Sequence, residues 1–112
     1  MPPTIPRDPR NPAYQLIPDE LLPVIPSLYA TEQVADPEVY VKLFTPDSNW
    51  TWFLTEYDPE QRLCFGLVQG LETELGYFSL PELEEVRGPL GLPIERDLYW
   101  KRRPLSACQK EE

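Results

Sequence analysis

Apolar positions along this chain recur with two different periods, and the switches between them mark its elements. From Val39 to Thr45 β-branched, aromatic and aliphatic residues predominate, and Pro46-Asp47-Ser48-Asn49 supplies turn chemistry. Trp50 to Tyr57 repeats the pattern as a second strand, closed by Asp58-Pro59-Glu60-Gln61, where Asp before Pro suits the opening of a type I turn. Arg62 to Gln69 predicts a third strand ended by Gly70, and Leu75 to Ser79 a shorter fourth. Parallel neighbours need a crossover of a dozen or more residues, so these short connections predict antiparallel pairing.

Helical spacing appears twice. Over residues 18–30, Asp19 is placed to cap, Glu20 follows, and Leu21, Val24, Ile25 and Leu28 share a face. Pro23 costs an early hydrogen bond, and Pro26 stops or kinks the helix. Residues 31–38 read as a polar connection. Later, Ser79 and Glu82 have capping-box spacing, Pro81 falls in the first turn, and Leu80, Leu83 and Val86 form an apolar side. Gly88-Pro89 ends that helix, a turn-rich loop runs to Pro93, and Ile94 to Lys101 predicts a fifth strand. The expected fold class is therefore α+β. It comprises an antiparallel β-meander of about five strands, a short N-terminal helix, and one helix between the last two strands. The expected organisation is a Pro-rich flexible leader over 1–15, a single domain over 16–106, and a frayed tail over 107–112.

Strand alternation adds a point about surfaces. Trp50, Trp52 and Leu54 point one way, while Thr51, Phe53, Thr55 and Tyr57 point the other. Val39, Val41 and Leu43 likewise oppose Tyr40, Lys42 and Phe44. Both faces thus carry apolar weight. One is expected to pack on the helices; the other is covered by the leader, a second subunit or a partner, of which coverage within the chain is the commoner. Tyr40, Phe44, Phe53 and Tyr57 are the candidate partner-binding residues.

In the leader, Pro3, Pro6, Pro9 and Pro12 recur every three residues, with Arg7 and Arg10 three apart. Polyproline II has three residues per turn, so the prolines would share one edge, as in ligands of aromatic grooves. The plainer reading is a stiff leader without a packed core.

Charge narrows the function classes. Ten basic against nineteen acidic residues leave a formal net charge of -9, a field that repels a nucleic-acid backbone. The one dense basic cluster, Lys101 to Arg103, is too small to reverse that argument. The acidity serves solubility; its sharper reading is a DNA-mimic decoy for a basic protein. Length predicts one domain, and a hydrophobic fraction of 41% argues against disorder of its body. Two cysteines, Cys64 in an apolar run and Cys108 in a polar tail, make no disulfide framework. No charged-then-apolar segment opens the chain and no run approaches the ~20 apolar residues of a membrane span. A cytoplasmic location is expected.

Many chemistries are excluded. Without histidine, a Ser-His-Asp or Cys-His site within one chain is impossible, and two distant cysteines do not make a structural zinc site. The phosphate-binding glycine loops are missing as well. No cofactor is expected. Carboxylates remain: Glu56 and Asp58 close the second strand, Glu74 precedes the fourth, and Glu95 and Asp97 share a face if the last strand is extended, with Arg96 opposite. Glu56, Glu95 and Asp97 are the candidate metal ligands, for Mg²⁺ or Mn²⁺, or an acid and base pair, with Lys101 on the same side as Glu95 and Asp97. The structural alternative is an ion-pair network satisfied by Arg96 or Lys42. Trp50, Trp52, Tyr77, Phe78, Tyr99 and Trp100 divide between core and interface anchors.

From about Leu16 to Ser106 the chain resembles a bacterial domain-of-unknown-function family, number 2958. The resemblance rests on Tyr40-Val41-Lys42-Leu43-Phe44-Thr45-Pro46, Thr51-Trp52, Thr55-Glu56, Phe65-Gly66-Leu67 and Glu74-Leu75-Gly76-Tyr77-Phe78-Ser79-Leu80. Further on it is carried by Glu82-Leu83, Gly91-Leu92-Pro93-Ile94-Glu95-Arg96-Asp97-Leu98 and Pro104-Leu105-Ser106. It implies a small cytosolic protein of bacteria, often encoded among plasmid or mobile-element genes, and it brings no activity and no functional residues. Exclusion favours a non-enzymatic module that binds another protein through its acidic surface or aromatic sheet face. The alternatives are a carboxylate-dependent metal enzyme acting on phosphodiesters and the acidic decoy. Oligomeric state is not legible.

Overall fold

In the computed structural model, which describes residues 15–109, the chain folds around the meander that its turns predict. β1 (Glu38–Val39) leads into β2 (Val41–Phe44), β3 (Thr51–Asp58), β4 (Leu63–Gln69) and β5 (Thr73–Ser79). The helix α1 (Leu80–Glu85) then carries the chain to β6 (Glu95–Arg96), and β7 (Arg103–Pro104) precedes the final helix α2 (Leu105–Gln109). The main sheet has the order β5-β4-β3-β2-β6, every pair antiparallel. β1 and β7 pair separately as a short antiparallel ribbon. The class is α+β, as the periodicity predicts.

Both faces of the sheet are apolar and each builds its own core. One holds Val41, Leu43, Trp52, Leu54, Tyr57 and Cys64 under Leu16, Ile17 and Ile25 of the N-terminal segment and Leu80 and Leu83 of α1. The other holds Val39, Phe53 and Leu67 under Leu105 and Cys108 of α2, with Trp100 packed alongside. α1 begins as its capping signal requires: the Ser79 hydroxyl accepts from the Glu82 amide at 3.3 Å, and proline occupies the first turn.

Strict alternation fails at two places. Between Leu54 and Glu56 the register of β3 against β4 shifts by one residue, a β-bulge. Phe53 therefore faces the α2 side, whereas Tyr57 joins the opposite core. Gly66 belongs to this bulge, because a Cβ there would overlap the Phe53 carbonyl oxygen and lie 2.9 Å from its carbon. The second break is at Tyr40, where β1 gives way to β2, so Val39 and Val41 end in different cores.

Three element boundaries also differ from expectation. The helix expected over 18–30 is a single 3-10 turn, Asp19–Leu21, with Pro18 at the N-cap position and no side-chain cap. Pro23 and Pro26 remove two donors within four residues, and only Ile25 of the expected apolar face is fully buried. β6 is two residues long, since the Asp97 side chain accepts from the Tyr99 amide and turns the chain. The tail is tied rather than frayed at its start. Asp36 accepts from the Ser106 amide at 3.0 Å and from its hydroxyl at 2.6 Å, capping α2, while Cys108 is wholly buried. Residues 1–14, which hold nearly all of the proline-rich leader, and 110–112 lie outside the described residues. Among those described, no helix is long and apolar enough to cross a membrane.

Candidate functional site

α2 is short and covers one half of its sheet face. Over the other half, Phe65 of β4 and Leu75 and Tyr77 of β5 stand side by side, because the β4–β5 register places Phe65 opposite Tyr77 and Leu67 opposite Leu75. Leu75 is 55% exposed and Tyr77 50%. The segment 29–37 arches past them, leaving a groove of about 550 Å³ walled by Tyr29, Val34, Phe65, Leu75 and Tyr77. The Tyr77 ring lies 4.9 Å from Phe65 and 6.3 Å from Tyr29, the latter edge-on.

The base of the groove explains its shape. Glu56, 3% exposed, accepts from the amides of Tyr29 at 2.8 Å and Thr31 at 2.9 Å, and from the Thr31 hydroxyl. Both carboxylate oxygens are thereby engaged, and the chain is pulled round them tightly enough to hold Tyr29 at φ 70, a left-handed conformation rare for a bulky residue. The bulge is what turns Glu56 to this side, and Thr55, the extra residue, donates its hydroxyl to the Phe65 carbonyl at 3.1 Å. Tyr77 is held above the usual phenol range, chiefly by the Tyr29 hydroxyl, with smaller contributions from burial and from Glu56 and Glu32. The groove is thus aromatic at its walls and negative in its field.

The candidate residues are placed as follows. Phe53 and Tyr57, 2% and 6% exposed, sit inside the two cores, so neither presents a surface to a partner in this fold. Phe44 is half-buried on β2, opposite Glu95. Tyr40 is half-buried with the Arg102 guanidinium 5.2 Å from its ring, and it lines a smaller hollow of about 240 Å³ with Asp97 and Trp100. The three candidate metal ligands are not brought together. Glu95 pairs with Phe44 and Phe44 with Thr51, so Glu95 is level with the start of β3 and two strands away. Glu56 lies five residues further along β3, about 15 Å at strand rise. Coordination at 2.0–2.6 Å does not span that separation, and among the described residues no three metal-ligating side chains cluster. The buried Cys64 thiol is pushed up to about 12 by desolvation, which removes it as a nucleophile near neutrality.

Phe65, Leu75 and Tyr77 become legible once the β4–β5 register is drawn, because it puts them on one face. Tyr29 carries no such signal; its position depends on a carboxylate 27 residues away.

The geometry defines a small α+β domain whose antiparallel sheet is closed on one face and half open, with an aromatic groove, on the other. The chain belongs to the family described as protein of unknown function (DUF2958), whose family model matches residues 19–111. No curated protein and no solved structure matches it.

Proposed function

We propose that this chain is a small non-enzymatic module that binds another protein through the groove between segment 29–37 and strands β4 and β5. The observation that carries this reading is that four exposed apolar side chains converge on one concavity. Tyr29, Val34, Leu75 and Tyr77 are each at least half exposed and all line that groove. Exposed aromatic and aliphatic groups gathered in a concavity mark interaction sites. The hydroxyls of Thr31 and Thr55 at its base are engaged with Glu56 and the Phe65 carbonyl, so the polar groups there serve the shape of the groove. Cys64 and Cys108, both buried and neither in a disulfide, fit a reducing compartment such as the cytosol.

The test is site-specific photocrosslinking in the native host. A benzophenone amino acid at position 75 is expected to trap a discrete partner, and Tyr29→Ala is expected to abolish that adduct. The same probe at Leu90, 78% exposed and outside the groove, is expected to trap none. Equal labelling from both positions, or an adduct indifferent to Tyr29, would refute the assignment.

A further inference from the structure

β5 is an edge strand of the main sheet, and its outer edge has no partner strand among the described residues. It pairs with β4 over all seven residues without a register shift. Natural edge strands are blunted by a bulge, a proline or a charged side chain; Thr73–Ser79 has no bulge and no proline, and its one charged residue is Glu74. At its middle stands Gly76, which weakens a strand. No atom of the fold comes within 4 Å of where its Cβ would be, and its φ is not of the left-handed kind, so neither crowding nor turn geometry explains it. Glycine within a strand also occurs where another backbone approaches closely.

Resting on the protein-binding reading above, we propose that β5 accepts an extended segment of the partner as a sixth strand. Residues of one parity in that segment are apolar and lie on Leu75 and Tyr77; those of the other parity are Lys or Arg and lie on the side of Glu74. Pairing to the edge supplies main-chain hydrogen bonds, and alternate side chains supply selectivity. Charge decides between a basic segment and a second copy of this chain. On the face away from the groove Glu74 is exposed, with Glu72 just before β5, and the groove on the other face is lined by no Lys or Arg. Antiparallel self-pairing centred on Gly76 would set Glu74 opposite Phe78, so it supplies no opposite charge to these acids, and it would join two molecules of net charge -9. Like charges directly opposed on strands destabilise the pair, whereas opposite charges support it.

A random ten-residue peptide library, displayed and selected on the full chain, tests this. Enriched peptides are expected to alternate apolar and basic residues and to slow exchange of β5 amides in hydrogen-exchange NMR. N-methylation of alternate amides on the peptide edge that pairs should weaken binding about thirtyfold, as the loss of a few such hydrogen bonds predicts. Leu75→Glu should abolish it. Enriched peptides that perturb Tyr29 and Val34 but leave β5 exchange unchanged would overturn strand addition while leaving the groove as a binding site. No enrichment, or perturbations away from this face, would overturn both. Protection of β5 that grows with protein concentration in the absence of peptide would overturn the proposal in favour of a second copy.

Discussion

Replacing Gly66 and Gly76 by alanine, one at a time, separates two glycines that face each other across β4 and β5. At Gly66 the new methyl would overlap the Phe53 carbonyl oxygen and sit 2.9 Å from its carbon and 3.1 Å from the Leu54 Cα. All three atoms are backbone at the bulge, so no rotamer change relieves the overlap. An ordinary C···O contact is about 3.3–3.6 Å, and reaching it requires β3 and β4 to separate locally. Overpacking costs about 1–3 kcal/mol, and a displaced ladder hydrogen bond adds about 1 kcal/mol. A loss of about 3 kcal/mol follows, lowering Tm by about 12–24 °C for a domain of this size. At Gly76 the methyl meets nothing within 4 Å, and alanine instead stabilises by about 0.5–1 kcal/mol through reduced chain entropy. Urea and thermal unfolding followed by tryptophan fluorescence measure both. A Gly66→Ala variant within 0.5 kcal/mol of the parent, or a Gly76→Ala variant as damaged as Gly66→Ala, would refute the argument from backbone crowding.

Glu56→Ala deprives the part-buried amides of Tyr29 and Thr31 of their acceptor, at about 1 kcal/mol for each hydrogen bond lost. Hydrogen exchange should quicken most at those two amides; uniform acceleration across the sheet would contradict a local clasp. Tyr29→Gly frees a position at φ 70 from a penalty of about 1–2 kcal/mol and forfeits a ring contact worth about 0.5–1.5 kcal/mol. Its urea midpoint should therefore stay near the parent's while crosslinking from position 75 is lost, and a large fall in midpoint would show that Tyr29 is primarily structural. For Cys64 the unfolded thiol ionises near about 8.5, whereas burial holds the folded thiol up to about 12. Between these values the unfolded chain has released its proton and the folded chain has not, so stability falls as pH rises through that window. Urea melts at pH 7, 9 and 10.5 should show the decline, and Cys64→Ala should flatten it; an unchanged slope would mean that another group, Tyr57 among them, dominates.

The parts of the fold legible in sequence are those whose causes are local. Pro46 to Asn49 and Asp58 to Gln61 turn the chain by their own chemistry, and Ser79 with Glu82 starts α1 within one turn. The parts not legible depend on residues distant in sequence. One extra residue at Thr55 reverses the facing of Glu56 and Tyr57, and periodicity alone does not locate such an insertion. α2 is anchored by Asp36, 70 residues earlier, so the polar composition around Cys108 reads as tail until that contact is known. The same limit separates the candidate residues from the groove. Aromatic weight on a sheet face was visible, but which aromatics stay open depends on how far α2 and segment 29–37 extend over that face.

Glu56 connects these levels. A carboxylate buried to 3% exposure is costly unless its oxygens are engaged, and here a fold-determining bulge turns it toward two loop amides and a hydroxyl that engage them. The reciprocal effect is on the loop. Its backbone is held in a left-handed bend at Tyr29, which sets that ring edge-on against Tyr77 in the wall of the groove. A loop fixed in this way presents its side chains with less ordering entropy left to lose on binding. The residue that looked like a metal ligand in the sequence therefore acts through the backbone, and its influence on binding should disappear if the 29–31 clasp is replaced by another constraint of the same shape. Leu75, proposed as a contact residue, should behave differently: binding lost on its substitution should not return when the loop is restrained.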